Sequence, residues 1–110
     1  MRIVTNKKLL EELSNLEHKQ WIDWSKNISK DIKQLTDALE AHINYWRNKG
    51  VFVNKNTTDL VKKQQERLQR WEKLWIPYEE LDEEMKESDR EYARKVITTL
   101  HDFDVNLQEK

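Results

Sequence analysis

The segment IPYEELDEEMKESDREYARKV, residues 76–96, decides the organisation of the chain because it joins a helix stop to a helix start. Pro77 has no backbone N–H and favours an extended conformation in the residue before it, so the helix that carries Trp71 and Trp75 is predicted to end there. The glutamates that follow the proline favour the positive end of a helix dipole. Asp82 is a suitable N-cap, and a last helix is therefore predicted from Asp82 onward.

One carboxylate interrupts the apolar stripe of this last helix. Asp89 lies four residues after Met85 and three before Tyr92, where the helical spacing calls for an apolar residue. A buried carboxylate without a partner is strongly destabilising. We therefore expect Asp89 to accept hydrogen bonds from a backbone turn, from His18 or from an arginine. The apolar members of the stripe are Met85, Tyr92, Ala93, Val96, Ile97, Leu100 and Phe103.

The rest of the chain also has helical periodicity, and strand-like alternation is confined to residues 51–53. Apolar residues follow steps of three and four from Leu9 to Trp46, with Trp24 at the stripe centre as a predicted core residue. Two interpretations are open: one long helix over residues 7–48, or a second helix capped by Ser29. Gly50 begins a loop that extends to residue 56, after which Thr57 or Thr58 with Asp59 is predicted to open the next helix. The expected fold is an all-α, four-helix module with a long or kinked first helix.

Composition limits the classes of function. The chain has 110 residues, enough for a single domain over 1–110, and only 36% of them are hydrophobic, so self-association is predicted. Lys and Arg number 20 against 21 Asp and Glu, which gives no indication of nucleic acid or membrane binding. Cysteine is absent, as is usual in a reducing compartment. Residues 1–6 lead directly into charged residues without the apolar region of a signal peptide, so we expect a cytoplasmic protein.

Motifs for catalysis or metal binding are not found in the sequence. The three histidines, His18, His42 and His101, have no carboxylate three residues before them, so the ligand spacing of di-iron bundles and zinc helices is missing. A single glycine cannot make a glycine-rich phosphate loop. We therefore predict no enzyme activity, no metal and no cofactor, and His18 is expected to support Asp89 rather than act as a base.

Two motifs resemble the ryanodine receptor repeat (RyR) domain. Residues 77–90 run Pro-Tyr-Glu-Glu-Leu, an acidic stretch and then Lys, an acid, Asp and Arg, while His18 and Trp21 match the His-x-x-Trp of the first RyR helix. The chain is also similar to short bacterial and phage proteins with His-x-x-Trp-x-x-Trp-Ser-Lys and Trp-x-x-x-Trp-x-Pro-Tyr. The glycine-containing loop of RyR repeats is missing, and residues 30–57 have the character of an insertion. In RyR repeats an aromatic residue matching Trp21 stacks on an adenine-like ligand.

This resemblance implies a non-enzymatic module that binds a nucleotide-like or other planar anionic molecule, for example to sequester a signalling nucleotide in phage–host conflict. Aromatic rings would stack on the base and basic side chains would meet the phosphate. The predicted ligand-binding residues are His18, Trp21, Lys26, Arg70, Trp75, Tyr78, Arg90 and Arg94. The predicted structural residues are Trp24, Trp71, Pro77 and Asp89. The alternative is a helical, homo-oligomeric interaction adaptor in which all tryptophans are structural.

Overall fold

A computed structural model describes the backbone of residues 7–108 and the side chains up to residue 104. It contains three α-helices, α1 (Lys7–Asn48), α2 (Lys55–Glu72) and α3 (Glu83–Gln108), and a 3₁₀ turn at Tyr78–Glu80. Residues 7–108 contain no strand, which confirms the all-α prediction. The expected helix start near Asn6 and the residues that bear on a signal peptide lie outside the described residues.

The helix α1 is one continuous helix of 42 residues, so three α-helices replace the predicted four. No glycine or proline occurs between residues 7 and 49, and nothing in that stretch stops helix propagation. Ser29, the predicted cap of a second helix, is a buried residue inside α1. At 1.5 Å per residue the helix is about 60 Å long.

The end of α1 depends on Gly50, whose φ of 76° lies in the left-handed region. The Gly50 N–H donates to the Arg47 carbonyl at 3.0 Å, and the Val51 N–H donates to the Trp46 carbonyl at 3.0 Å. This pair of bonds is a Schellman motif, in which glycine avoids the steric penalty of other residues. The predicted loop after Gly50 is confirmed, although it ends at residue 54.

The boundaries of α2 differ from the prediction at both ends. Asn54, and neither Thr57 nor Thr58, is the N-cap, because its side chain accepts a hydrogen bond from the backbone N–H of Asn56 at 2.8 Å. The helix ends at Glu72, so Trp75 lies beyond it. An asparagine three positions before Thr57 satisfies the free N–H groups of the first turn as well as a threonine does.

The start of α3 agrees with the sequence. The Asp82 Oδ1 atom accepts a hydrogen bond from the Met85 backbone N–H at 2.9 Å, which is the contact of an N-cap. Glu83 and Glu84 occupy the first turn, where a negative charge is favourable. No helix among the described residues is both long and apolar enough to cross a membrane.

The chain forms two compact units, with a boundary inside α1. The first unit is formed within Met1–Ile22 and Ile76–Lys110, and the second within Asp23–Trp75. The predicted insertion, residues 30–57, falls inside the second unit, which is a hairpin of α1 and α2.

The buried positions of α1 are mostly small and polar, which the apolar stripe did not predict. Trp24 is 55% exposed and Leu35 is 62% exposed, so the prediction that Trp24 is a core residue is wrong. Small side chains allow neighbouring helices to approach closely, whereas a tryptophan at the contact would hold them apart. The buried residues of α1 are Ser14, His18, Ser25, Ser29, Thr36 and Ile43.

Candidate functional site

The residues predicted to bind a ligand divide between the two units. His18, Trp21, Tyr78, Arg90 and Arg94 belong to the first unit. Lys26, Arg70 and Trp75 belong to the second unit. Each unit therefore has its own set of candidate side chains.

Glu11 is the centre of a polar network in the first unit. Its carboxylate accepts a hydrogen bond from the Tyr78 hydroxyl at 2.9 Å and another from Arg90 Nε at 2.8 Å. The hydrogen bond from Arg90 is the main cause that lowers the pKa of Glu11. Tyr78 is buried, and its pKa is raised by burial and by the neighbouring Glu11 carboxylate. This network joins α1 to the 3₁₀ turn and to α3 within the unit.

The two predicted phosphate ligands of the first unit are occupied by carboxylates of the chain itself. Arg90 Nη1 also contacts Glu83 at 3.0 Å and Glu87 at 3.4 Å. Arg94 donates to Glu87 at 2.6 Å. The hydrogen bonds to Glu11 and Glu83 raise the pKa of Arg90, so its positive charge is firmly held. A phosphate would have to displace these carboxylates to bind here.

His18 has partners on both ring nitrogens. Its Nε2 atom donates to the carbonyl of Ile76 at 2.8 Å, and Nδ1 lies 3.6 Å from Asp89 Oδ2. Asp89 lies next to His18 as expected, but the 3.6 Å separation is longer than a hydrogen bond, Asp89 is only partly buried, and the neighbouring Arg90 donates to Glu11 instead. Burial raises the pKa of Asp89, and the adjacent His18 opposes that effect. His18 thus ties α1 to the segment before Pro77.

One face of Trp21 is already used by the fold. The Trp21 and His18 rings are stacked, with centroids 6.0 Å apart and an angle of 17° between the planes. Trp21 is partly exposed, as its position on the shoulder of the stripe predicts. Its role as a stacking platform for a ligand stays a prediction. The contacts described for the candidate ligand-binding residues of this unit are with other residues of the same unit.

Trp75 is held in place within the second unit. Its indole Nε1–H donates to Ser25 Oγ at 2.9 Å, and the Lys26 ammonium lies 5.6 Å from the ring centroid, a cation–π contact. A cavity of about 290 Å³ opens beside this ring. The residues that line it are Lys26, Ser29, Lys30, Lys33, Leu68, Glu72 and Trp75. We refer to it as the Trp75 cavity.

Ser29 differs from the other buried hydroxyl residues of α1. Ser14 donates to the Leu10 carbonyl at 2.7 Å, and Thr36 donates to the Lys33 carbonyl at 3.1 Å. The buried Ser29 Oγ has no hydrogen-bond partner among the described residues. An unmade hydrogen bond of a buried hydroxyl costs about 1–3 kcal/mol. Ser29 is also one of the residues that line the Trp75 cavity.

The cations of the Trp75 cavity are not equivalent. Lys33 pairs with Asp37 at 2.9 Å, and this contact raises the pKa of Lys33. Lys26 and Lys30 line the cavity on exposed, flexible side chains. Arg70 is exposed and is not among the lining residues, so the structure does not bring it to this cavity. Glu72 is an acceptor at the same wall.

Sequence reasoning missed five of the seven lining residues, namely Ser29, Lys30, Lys33, Leu68 and Glu72. A signal for the lysines was present, because positions 26, 30 and 33 follow steps of four and three on one flank of a helix. No such signal exists for Ser29, because the absence of a hydrogen-bond partner depends on the neighbours that the fold provides. Within the described residues no group of three or more histidine, aspartate and glutamate side chains could hold a metal ion.

Comparison of the chain with protein-family models, with curated proteins and with solved structures gives no match in any of the three.

Proposed function

We propose that this chain is a non-enzymatic module that binds a planar anionic small molecule, such as a mononucleotide, in the Trp75 cavity. The observation that carries the proposal is the buried Ser29 hydroxyl without a partner beside a cavity lined by a tryptophan and three lysines. A volume of about 290 Å³ is close to the lower size of small-molecule sites.

The side chains around the cavity match the parts of a nucleotide. The Trp75 ring offers a face for stacking on a base, and its hydrogen bond to Ser25 fixes the orientation of that ring. Lys26 lies over the same ring, and its flexible side chain can move to a phosphate as a base takes its place. Lys30 supplies a second positive charge, and Glu72 can accept a hydrogen bond from an exocyclic amino group.

The RyR resemblance supports the same class of ligand. The resemblance implies that an aromatic residue stacks on an adenine-like ring. In this chain that residue would be Trp75 rather than Trp21, the residue that the resemblance implies. If the chain acts in phage–host conflict, sequestration of a signalling nucleotide is the role that a non-enzymatic binder of this kind would have. Both the family assignment and this role are part of the proposal.

Calorimetric titration with AMP, adenosine and inorganic pyrophosphate tests the proposal. AMP is expected to bind more tightly than adenosine or pyrophosphate, because only AMP engages the ring and the lysines together. Binding should weaken as salt concentration rises, because the contacts of exposed lysines with phosphate are screened.

Two variants identify the site in the same titration. Lys30→Gln should weaken AMP binding and Trp75→Phe should weaken it further, whereas Lys19→Gln, an exposed lysine of the same helix outside the cavity, should leave it unchanged. If none of the three compounds binds at millimolar concentration, or if Lys30→Gln behaves as Lys19→Gln does, the proposal is wrong.

A further inference from the structure

One side of the helical hairpin in the second unit carries large apolar side chains that this chain leaves exposed. On α1 they are Trp24 at 55% exposure, Leu35 at 62%, Leu39 at 37% and Trp46 at 39%. On α2, Leu60 is 57% exposed. We call these five residues the apolar face. Contiguous apolar surface of this kind usually marks an interaction site in a protein.

Helical spacing and ring contacts place these residues on one side of the hairpin. Trp24, Leu35 and Trp46 are separated by eleven residues each, which is close to three helical turns, and so is Leu60 from Trp71. The Trp24 and Trp71 rings are in contact, with centroids 5.9 Å apart, which joins the two rows at one end.

The opposite side of the hairpin is polar. Gln65 of α2 donates a hydrogen bond to Glu40 of α1 there, and Lys33 pairs with Asp37. Lys26 lies two residues after Trp24 and Lys33 two residues before Leu35, which is more than half a turn around the helix in each case. The Trp75 cavity therefore opens away from the apolar face, and the two surfaces can be tested separately.

A two-helix layer needs a second layer to bury its apolar stripe. The buried apolar side chains of the hairpin are Ile43 and Val61, while most of its other buried positions are small hydroxyl residues. A pair of such hairpins stacked through their apolar faces makes a four-helix bundle, in which both stripes become core. The occupant that needs no further assumption is a second copy of the chain.

The charges at the rim of the apolar face are arranged for a second copy. Asp31 lies seven residues after Trp24, about 10 Å along α1, while Arg67 and Lys63 lie four and eight residues before Trp71, about 6 and 12 Å in the same direction along the antiparallel α2. Asp31 of α1 is thus level with Arg67 and Lys63 of α2. Asp31 and Lys63 are exposed, and Arg67 contacts only the side chain of Gln64 at 3.3 Å among the bonds described.

We propose that the chain forms a homodimer through the apolar face, with a twofold axis parallel to the helices. This axis keeps every residue at its own level and places α1 of one copy against α2 of the other. Asp31 of each copy then meets Arg67 and Lys63 of the other, and the interface contains that pairing twice. The proposal goes beyond the ligand function and does not depend on it.

Sedimentation velocity of the full chain over a concentration series tests the dimer. The expected species has twice the 13.5 kDa mass of the chain, with or without nucleotide. Leu35→Glu should shift it to the monomer, because a carboxylate would be buried in the bundle core. Leu100→Glu, an exposed leucine of α3 in the first unit, is the matched control and should remain dimeric. Circular dichroism of both variants should show unchanged helix content, because both leucines are exposed in the single chain.

A charge exchange distinguishes a second copy from any other partner. Asp31→Arg and Arg67→Asp should each weaken the homodimer by about tenfold, because each places like charges opposite one another. An equimolar mixture of the two variants should recover dimerisation, because the mixed dimer restores opposite charges at both pairings. A monomer at every concentration, a dimer that Leu35→Glu does not affect, or a mixture that stays as weak as its components would overturn the proposal.

Discussion

The two units differ in how they use the same long helix. In the first unit, α1 is tied to the segment after Ile76 by charged and aromatic side chains that bridge distant parts of the sequence, such as Glu11 with Tyr78 and Arg90. In the second unit, small hydroxyl residues occupy the buried side of α1, and the large apolar side chains face outward. A network whose charged groups already have partners stabilises the fold. An exposed apolar face and a buried hydroxyl without a described partner are instead features of a binding surface. His18, Tyr78 and Arg90 thus have partners within the first unit, and the two proposed sites lie in the second unit.

The largest effect should come from Tyr78, the buried tyrosine of the Glu11 network in the first unit. Tyr78→Ala removes a buried aromatic ring and the hydroxyl that donates a hydrogen bond to Glu11. The variant should therefore lower the free energy of unfolding by about 3–5 kcal/mol. Urea unfolding followed by circular dichroism measures it. The matched control is Tyr92→Ala in α3, whose ring is 54% exposed and which should change stability little. Similar losses of unfolding free energy for both variants would mean that the buried contacts of Tyr78 do not stabilise the unit more than an exposed tyrosine does.

The charge network of the same unit should give a smaller loss. Arg90→Gln removes the partner shared by Glu11, Glu83 and Glu87 and should destabilise by about 1.5 kcal/mol, because hydrogen bonds between charged groups are strong but these carboxylates are partly exposed. Arg94→Gln, which loses one exposed pair with Glu87, is the control and should change the melting temperature much less. Equal shifts would remove the distinction between network and surface pair.

The second unit should respond to a similar deletion with the opposite sign. Ser29→Ala removes a buried hydroxyl without a described partner and introduces a better helix former, so it should stabilise the free chain by about 1 kcal/mol. The same change should weaken AMP binding if the hydroxyl meets the ligand. Ser14→Ala, which loses the bond to Leu10, should not stabilise. A destabilised Ser29→Ala variant would show that the hydroxyl has a partner in the free protein.

The smallest effect concerns pH and again belongs to the first unit. Because Arg90 lowers the pKa of Glu11 in the folded chain, Glu11 contributes stability above its ordinary pKa of 4.5, and that contribution is lost as pH falls through the lower folded value. Melting temperatures measured from neutral pH down to the acid range should therefore fall less steeply for Glu11→Gln than for the unchanged chain. Glu12→Gln, an exposed neighbour, should keep the original slope.

Local features of the fold could be predicted because they depend on a few neighbouring residues. The cap at Asp82 and the loop at Gly50 follow from backbone chemistry within a turn or two, whereas α2 ends at Glu72, before the stop predicted at Pro77. The proximity of His18 to Asp89 could also be predicted, because a carboxylate within an apolar stripe requires a partner.

The sequence by itself determined that the chain is helical and that its helices are interrupted near Gly50 and near Pro77, whereas only the tertiary structure decided which side of each helix is buried. Helical periodicity identifies an apolar stripe, but not what covers it, so Trp24 and Leu35 read as core although they are exposed. The opposite holds for Ser29, which the sequence offers as a helix cap but which is a buried hydroxyl without a described partner inside α1. Burial and hydrogen-bond satisfaction depend on distant parts of the chain brought together by the fold, and no local pattern encodes them.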